Sequence, residues 1–224
     1  MKERIKIDVS ILVGVILASS LLFFFKGLYP QDNLTENVLD FLGIITIIKG
    51  VLLRMAARGH KMTFSDKSEQ LVTTGPYAFT RNPMYFGSFL IGLGFVLILW
   101  PWWMMFLYMY LFYIRFNKEM LKEEKYLKEK FGAQYERYCK EVPRILPLMG
   151  KWFKVKAREV TNLVEAFSTK EKMGLLTWPI LAIFLEVIKE IIVYGKVDIV
   201  NTLIIFLGGY IFFAIVFCLR YVIK

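Results

Sequence analysis

Tyr77, Arg81, Asn82 and Tyr85 lie within the stretch "GPYAFTRNPMYFGS" (75–88), at the entrance to a long uncharged run. A second polar set, Glu119, Glu123 and Glu124, follows where that run ends. Such residues suit a zwitterion carrying a positive centre. A guanidinium takes a carboxylate through its fork of N–H donors, carboxylates take an ammonium or hydroxyls, and aromatic faces attract a cation. A helix that only crosses a bilayer needs none of these groups. An isolated surface Arg–Glu pair is worth little, so the chemistry depends on whether the chain brings both sets to the same depth.

The elements that position them are apolar helices. Of the 224 residues, 57% are hydrophobic and 17% aromatic, more apolar surface than a soluble domain of this size buries. The fold class read from this is all-α: a polytopic membrane protein with about six spans, one pair forming a tight hairpin, plus cytoplasmic helices. Val9 to Phe25 is the first span, closed by Lys26, Gly27 and Pro30. With "MKERIKID" before it and no small-residue cleavage site, it reads as a retained signal anchor. "NLTE" (33–36) starts a second helix running to about Arg54, with Asp40 and Lys49 snorkelling near its ends, and 57–74 reads as a polar loop.

Met84 to Ile114 carries no charge, and "LWPWW" (99–103) puts Pro101 in its middle. This predicts two antiparallel arms turning at an aromatic belt of Trp100, Trp102 and Trp103. The arms are short, so the first borrows Arg81 to Pro83 and the second runs past Arg115 as far as a stop at Gly132, with Pro143 and Pro147 closing the segment that follows. Arg81 then reaches Glu123 or Glu124. Pro83 suits a first helical turn, and Gly87 thins its helix for close packing. Gly92 and Gly94 have no strand before them and read as helix contacts. His60, the one histidine, reads as a solvated residue of a basic loop, with a general base the alternative.

Phe153, Ala157, Val160, Val164 and Phe167 recur at helical spacing within 151–172, the pattern of an amphipathic helix lying on the membrane or of a linker helix packed on protein. Gly174 to about Tyr194 and Ile199 to Leu219 form a final pair of spans, with Glu186, Lys189 and Glu190 grouped near the outer end of the first. The organisation is therefore 1–37, an N-terminal helix; 38–150, the core; 151–173, the interfacial helix; and 174–224, the C-terminal pair.

Net charge is +10, with the basic residues between apolar runs and not in one stripe, which points to membrane orientation and anionic headgroups and not to nucleic acid. Residues 115–172 hold 15 Lys and Arg against 9 Asp and Glu, whereas the short turns near 27–33, 100–103 and 195–198 are poor in positive charge. Both termini, 57–74 and 115–172 are expected on the cytoplasmic side. Cys139 and Cys218 have neither disulfide-framework nor metal-site spacing.

"LVTTGPYAFTRNPMYFG" (71–87), a hydrophobic hairpin, and then "EEKYLKEKFGAQYERYCKEVPRILP" (123–147) resemble the membrane methyltransferases related to isoprenylcysteine carboxyl methyltransferase. The resemblance covers roughly 38–147. It maps the family's binding residues onto Arg81, Asn82, Pro83, Tyr85, Gly87, Glu123 and Glu124. Asn82 stands where a histidine is more usual, and "NPMYFGS" is similar there to the phosphatidylethanolamine N-methyltransferase branch. The resemblance implies S-adenosylmethionine in a cytosol-facing pocket and a lipophilic acceptor entering from the bilayer. Tyr77, Arg81, Asn82, Pro83, Tyr85, Gly87, Glu123 and Glu124 would then form the cofactor site, with Arg81 and Tyr85 catalytic and no metal. The acceptor nucleophile stays open between oxygen, nitrogen and sulfur. The C-terminal pair shapes the acceptor's entrance or supports a homo-oligomer. Two rivals remain: a nicotinamide-dependent sterol-type reductase, whose comparable segment carries an arginine-aspartate-glutamate run where this chain has "LKEEKY", and a non-enzymatic lipid-binding protein.

Overall fold

The computed structural model describes residues 13–14, 17–29, 33–65, 70–146 and 161–222. Among them every regular element is a helix, as the sequence predicts. Of the first span, 9–12 and 15–16 lie outside the described residues; 13–14 and 17–22 are helical and a 3₁₀ turn follows at Lys26–Leu28.

Helix α1, Asn33–Phe64, is 32 residues long, about 48 Å at ~1.5 Å per residue. The expected end near Arg54 is therefore ten residues short, and the helix takes in 57–64 of the expected loop. The segment contains no proline, and Met55, Ala56 and Ala57 are buried, so packing carries the helix through a stretch whose polar residues read as loop. Lying in α1, His60 is a half-buried helical residue and not a loop histidine.

The hairpin is present. Helix α2, Pro83–Leu99, turns through Trp100 to Trp103 into α3, Met104–Phe131. Trp102 and Trp103 are exposed and suit an interfacial belt, but Trp100 is buried and donates its indole N–H to Ser19 Oγ at 2.9 Å. It anchors the 17–22 helix and does not belong to the belt. An aromatic ladder joins the two arms: Phe89 meets Tyr108 and Phe112, Phe112 meets Phe116, and Phe116 meets the ring of Tyr85. The crossing of α1 and α2 is backbone on backbone. A Cβ on Gly94 would stand 2.6 Å from the Gly43 carbonyl oxygen, and one on Gly87 would stand 2.8 Å from that of Gly50. Gly92 faces the other way, onto Tyr108 of α3.

Gly132, at φ +49°, ends α3 as predicted, in a conformation that costs glycine little. Helix α4, Ala133–Glu141, follows, and the chain leaves it at Val142 before Pro143; Pro147 lies outside the described residues. The expected 151–172 helix is described only from 161. There it is a five-residue helix α5, Leu163–Phe167, capped by the side chain of Asn162, and then a 3₁₀ turn at Lys170–Met173. This part packs on α1: Ala166 is buried, and a Cβ on Gly59 would overlap the Glu165 carbonyl.

Helices α6, Gly174–Lys189, and α7, Ile199–Val222, are joined through a π-helical turn at Glu190–Tyr194. Pro179 removes the N–H that would bond the Leu175 carbonyl, and the Tyr210 hydroxyl of α7 donates to that carbonyl instead, at 2.8 Å. Among the described residues α7 alone is both long and apolar enough to cross a membrane, and most of its surface is exposed. α2, at 17 residues, is apolar but shorter.

Two readings of charged residues change. Asp40 does not snorkel, and Glu186 and Lys189, grouped near the end of α6 as expected, turn inward. All three are buried, with Lys189 Nζ 2.9 Å from Glu186, 3.0 Å from Glu36 and 3.9 Å from Asp40, while donating to the Ile98 carbonyl at 2.7 Å. Carboxylates from two helices and a free helix-end carbonyl together offset the cost of burying one ammonium.

Candidate functional site

The site is assembled where the N-terminal end of α2 meets the C-terminal half of α3. Pro83 is the first residue of α2, where its missing N–H costs nothing, and Asn82 precedes it at the cap position. The side chain of Asn82 does not cap the helix. Its Nδ2 donates to the Arg144 carbonyl at 3.1 Å, as does Thr80 Oγ1 at 3.1 Å, and the Arg81 N–H donates to the Pro143 carbonyl at 2.9 Å. These three bonds strap the segment after α4 across the loop before α2.

The strap delivers Arg144 to Glu124. Arg144 Nε and Nη2 donate to the two oxygens of Glu124 at 3.0 and 2.7 Å, and Nη1 reaches Asn117 Oδ1 at 3.4 Å. On its other side Glu124 lies 3.4 Å from Arg81 Nη2, while Arg81 Nη1 donates to Cys139 Sγ. The hydrogen bond from Arg144 to Glu124 lifts the arginine's pKa further, against the opposing effect of burial, so it stays cationic. Tyr85, held edge-on by Phe116, donates its hydroxyl to Glu123 Oε1 at 3.0 Å. Phe116, Met120 and Glu123 recur at i, i+4 and i+7, so the face of α3 buried in the hairpin ends in a carboxylate beneath Tyr85.

The two polar sets thus sit at one depth, and the expected reach of Arg81 to the glutamate pair is made to Glu124. Glu119 stays outside, paired with Lys122 at 3.2 Å on the exposed side of α3. Tyr77 borders the site through its carbonyl, which accepts from the Tyr138 hydroxyl at 2.6 Å. Burial lifts the pKa of Tyr138, and burial with neighbouring Glu124 lifts that of Tyr135, so both phenols remain protonated donors at neutral pH. Gly87 faces α1. Arg144 and Asn117 went unnoticed in the sequence reading. Their signals were an arginine between two prolines in an apolar stretch and an amide seven residues before Glu124 on the same helical face.

A second charged cluster closes the flank of the site. Arg54 Nε and Arg58 Nη1 hold the two oxygens of Glu171 at 3.0 and 2.8 Å, and Arg54 Nη1 also donates to Ser88 Oγ on α2. His60 Nε2 is 2.8 Å from Thr74 Oγ1, and its Nδ1 is 3.4 Å from Glu165 Oε2. Burial alone would raise the pKa of Glu171, but Arg54 and Arg58 outweigh it and hold the carboxyl below the usual range. A depressed folded-state pKa gives stability that is full above the unfolded value of ~4.3 and lost as pH falls through the lower folded value. Thermal melts between pH 6 and pH 3 are therefore expected to show a steeper acid loss in the native protein than in Glu171→Gln; superimposable slopes would show that the pair contributes nothing.

Residues 39–134 match the family model described as Phospholipid methyltransferase. Protein-S-isoprenylcysteine O-methyltransferase of Schizosaccharomyces pombe is 37% identical over 84 residues, 38% of this chain and 36% of that protein. The Saccharomyces cerevisiae protein of the same name is 29% identical over 125 residues, 52% of each chain. The chain spans about a third to a half of the length of these curated relatives. No solved structure matches. The family model and the relatives bear out the resemblance read from the two motifs, and they divide between its two branches in the same way that Asn82 does. The matched segment holds most of α1, all of α2 and α3 and the start of α4; Arg144 lies beyond it.

Proposed function

We propose that the protein transfers a methyl group from S-adenosylmethionine to a lipophilic acceptor held in the membrane. The observation that supports this most is the meeting of Arg81 and Tyr85 with Glu124 and Glu123 at one end of a hydrophobic hairpin, inside the segment similar to known methyltransferases.

The residues fit the donor. Arg81 Nε is buried and makes no hydrogen bond among the described residues, which leaves a charged donor for a carboxylate. Glu123, half-buried beside the Tyr85 hydroxyl, offers a carboxylate for the ribose hydroxyls or the amino group. Glu124 is already neutralised by two arginines, so its part is to hold Arg81 in place. Tyr77 and Tyr85 supply aromatic surface for the sulfonium. Asn82, Pro83 and Gly87 act by position: the first ties down the strap, the second starts α2 and the third lets α1 close on it.

When bound, the donor supplies a methyl group already activated on sulfur. The protein's work is then alignment of the acceptor and exclusion of water, with Arg81 and Tyr85 fixing the reacting end. The chain has one histidine, and both nitrogens of His60 are engaged with Thr74 and Glu165, away from Tyr85. An acceptor that needs no strong base suits this site, and a carboxylate of the isoprenylcysteine kind, or a thiolate, meets that need. A phospholipid amine is the second reading, favoured by Asn82 and by the description of the matching family. It must first shed a proton.

Topology follows the same reading. The 17–29 region, α1, α2, the apolar half of α3, α6 and α7 are assigned as about six spans, with the site and both termini facing the cytoplasm. The exposed apolar side chains of α3, among them Phe106, Leu107, Tyr110 and Leu111, and those of α7 give the acceptor a lipid-facing approach. Equilibrium binding of radiolabelled S-adenosylmethionine to the purified protein in detergent tests the donor assignment without knowledge of the acceptor. Saturable binding with one site per chain is expected; binding of NADPH in its place would favour the reductase class, and binding of neither would remove the enzymatic reading.

A further inference from the structure

With Arg81 assigned to the donor's carboxylate, Arg144 is committed to both oxygens of Glu124. The acceptors that suit the site, a prenylcysteine-type carboxylate or a phospholipid, each carry an oxyanion of their own. Two further arginines stand on the flank, Arg54 and Arg58, one turn apart on α1. Arg54 Nη1 donates to Ser88 Oγ at 2.5 Å, and Ser88 lies one turn beyond Tyr85 on α2. The pair is therefore fixed against the helix that carries the reacting end.

Glu171 lies between the two guanidiniums, its oxygens accepting from Arg54 Nε at 3.0 Å and Arg58 Nη1 at 2.8 Å. A lipid carboxylate or phosphate presents oxygens to arginines in the same way. One carboxylate faces two guanidiniums, so a positive charge is left over. Lys170 and Lys172, exposed on either side of Glu171 in the same 3₁₀ turn, add to it, and Glu165 is engaged with His60 and Asn162. Among the described residues Nη1 is the one donor of Arg58 that finds a partner, and the side chain is 41% exposed, so the rest of that guanidinium is open to a ligand. Arg54, Arg58 and Ser88 fall within residues 39–134, which match the methyltransferase family, whereas Glu171 lies beyond them in the short turn at Lys170–Met173.

We propose that Arg54 and Arg58 seat the oxyanion of the acceptor and that Glu171 occupies the seat until an acceptor displaces it. This rests on the methyltransferase reading and adds the group by which the acceptor is recognised. A glutamate and a lipid carboxylate offer the same two oxygens, so the exchange loses no hydrogen bond at the arginines. Methylation turns a carboxylate into a neutral ester, for which the guanidiniums have no charge preference, so Glu171 retakes its place and the product is released.

The test uses the full chain in a maltoside detergent, which carries no anion, with tritiated S-farnesyl-N-acetylcysteine as the probe at neutral pH. Saturable binding is expected, roughly tenfold weaker in Arg58→Gln and about threefold tighter in Glu171→Gln, where the internal competitor is gone. The methyl ester of the probe is expected to bind Arg58→Gln and the native protein alike. A merely structural ion pair gives another pattern: Glu171→Gln binds the acid no more tightly, and Arg58→Gln weakens acid and ester equally. Either of those results, or absence of saturable probe binding, would overturn the proposal. If Glu171→Gln does not fold, the comparison of acid with ester in Arg58→Gln decides alone, because that side chain is partly exposed. Competition by phosphatidic acid extends the seat to lipid phosphates, its absence restricts the seat to carboxylates, and both uphold it. S-adenosylmethionine binding is measured on the same samples: a native protein that binds no donor defeats the methyltransferase reading, whereas normal donor binding without the acid-specific pattern defeats the seat alone.

Discussion

Arg81→Lys is expected to weaken S-adenosylmethionine binding by roughly 10- to 150-fold, the ~1.5–3 kcal/mol of a charge-assisted hydrogen bond to a buried partner. Charge is conserved in this variant, so the loss isolates geometry. The guanidinium meets Glu124 with Nη2 and Cys139 with Nη1 while keeping Nε buried and unbonded. A lysine places one compact ammonium near Glu124 and has no second, rigidly directed N–H to offer a carboxylate. Calorimetric titration in detergent measures the effect, and an affinity within twofold of the native value would show that Arg81 serves structure alone.

The two adjacent glutamates should separate cleanly. Glu123→Gln is expected to weaken donor binding by a similar ~1.5–3 kcal/mol with little change in melting temperature, because a glutamine oxygen still accepts the Tyr85 hydroxyl in place of the carboxylate. Glu124→Gln is expected to lower stability and donor affinity together. It leaves Arg81, 13% exposed in its side chain, without its ion pair and breaks a two-pronged bond to Arg144, whose side chain is 34% exposed. Breaking a fully buried pair costs ~3–5 kcal/mol; partial exposure here reduces the expected cost to ~1–3 kcal/mol. Arg144→Met should reproduce the Glu124→Gln phenotype. Equal behaviour of Glu123→Gln and Glu124→Gln in melts and titrations would contradict the division of roles.

The hairpin was legible because its signals are local. Pro101 and the tryptophans interrupt an uncharged run, and Phe112, Phe116, Met120 and Glu123 keep helical spacing beyond it, which places a carboxylate at the depth of Tyr85. Gly132 was readable as a stop for the same reason. Less visible was anything whose partner is remote in sequence. The last ten residues of α1 look like loop because Arg54, Arg58 and His60 are polar, and the groups that pair with them, Glu171 and Glu165, come more than a hundred residues later. Asp40 read as a snorkelling charge because its compensating lysine lies on α6, and Trp100 read as interfacial because the serine that takes its N–H lies 81 residues earlier. In the site itself, the residue types were apparent and the wiring was not. That Glu124 is clamped between two arginines while Glu123 meets Tyr85 depends on Arg144, and only the fold brings that arginine across from the far side of α4.

The claim at the centre of this account is methyl transfer to a molecule that lives in the membrane. Its most direct test is to incubate the protein with methyl-labelled S-adenosylmethionine, extracted membrane lipids and prenylated cysteine in one reaction and cytosolic metabolites in another, and to follow the label. Label is expected in the lipophilic fraction, released by mild base if the product is a carboxyl ester and retained if it is a methylated amine or thioether, and abolished in Arg81→Lys. Label confined to water-soluble products, or transferred equally by Arg81→Lys, would contradict it.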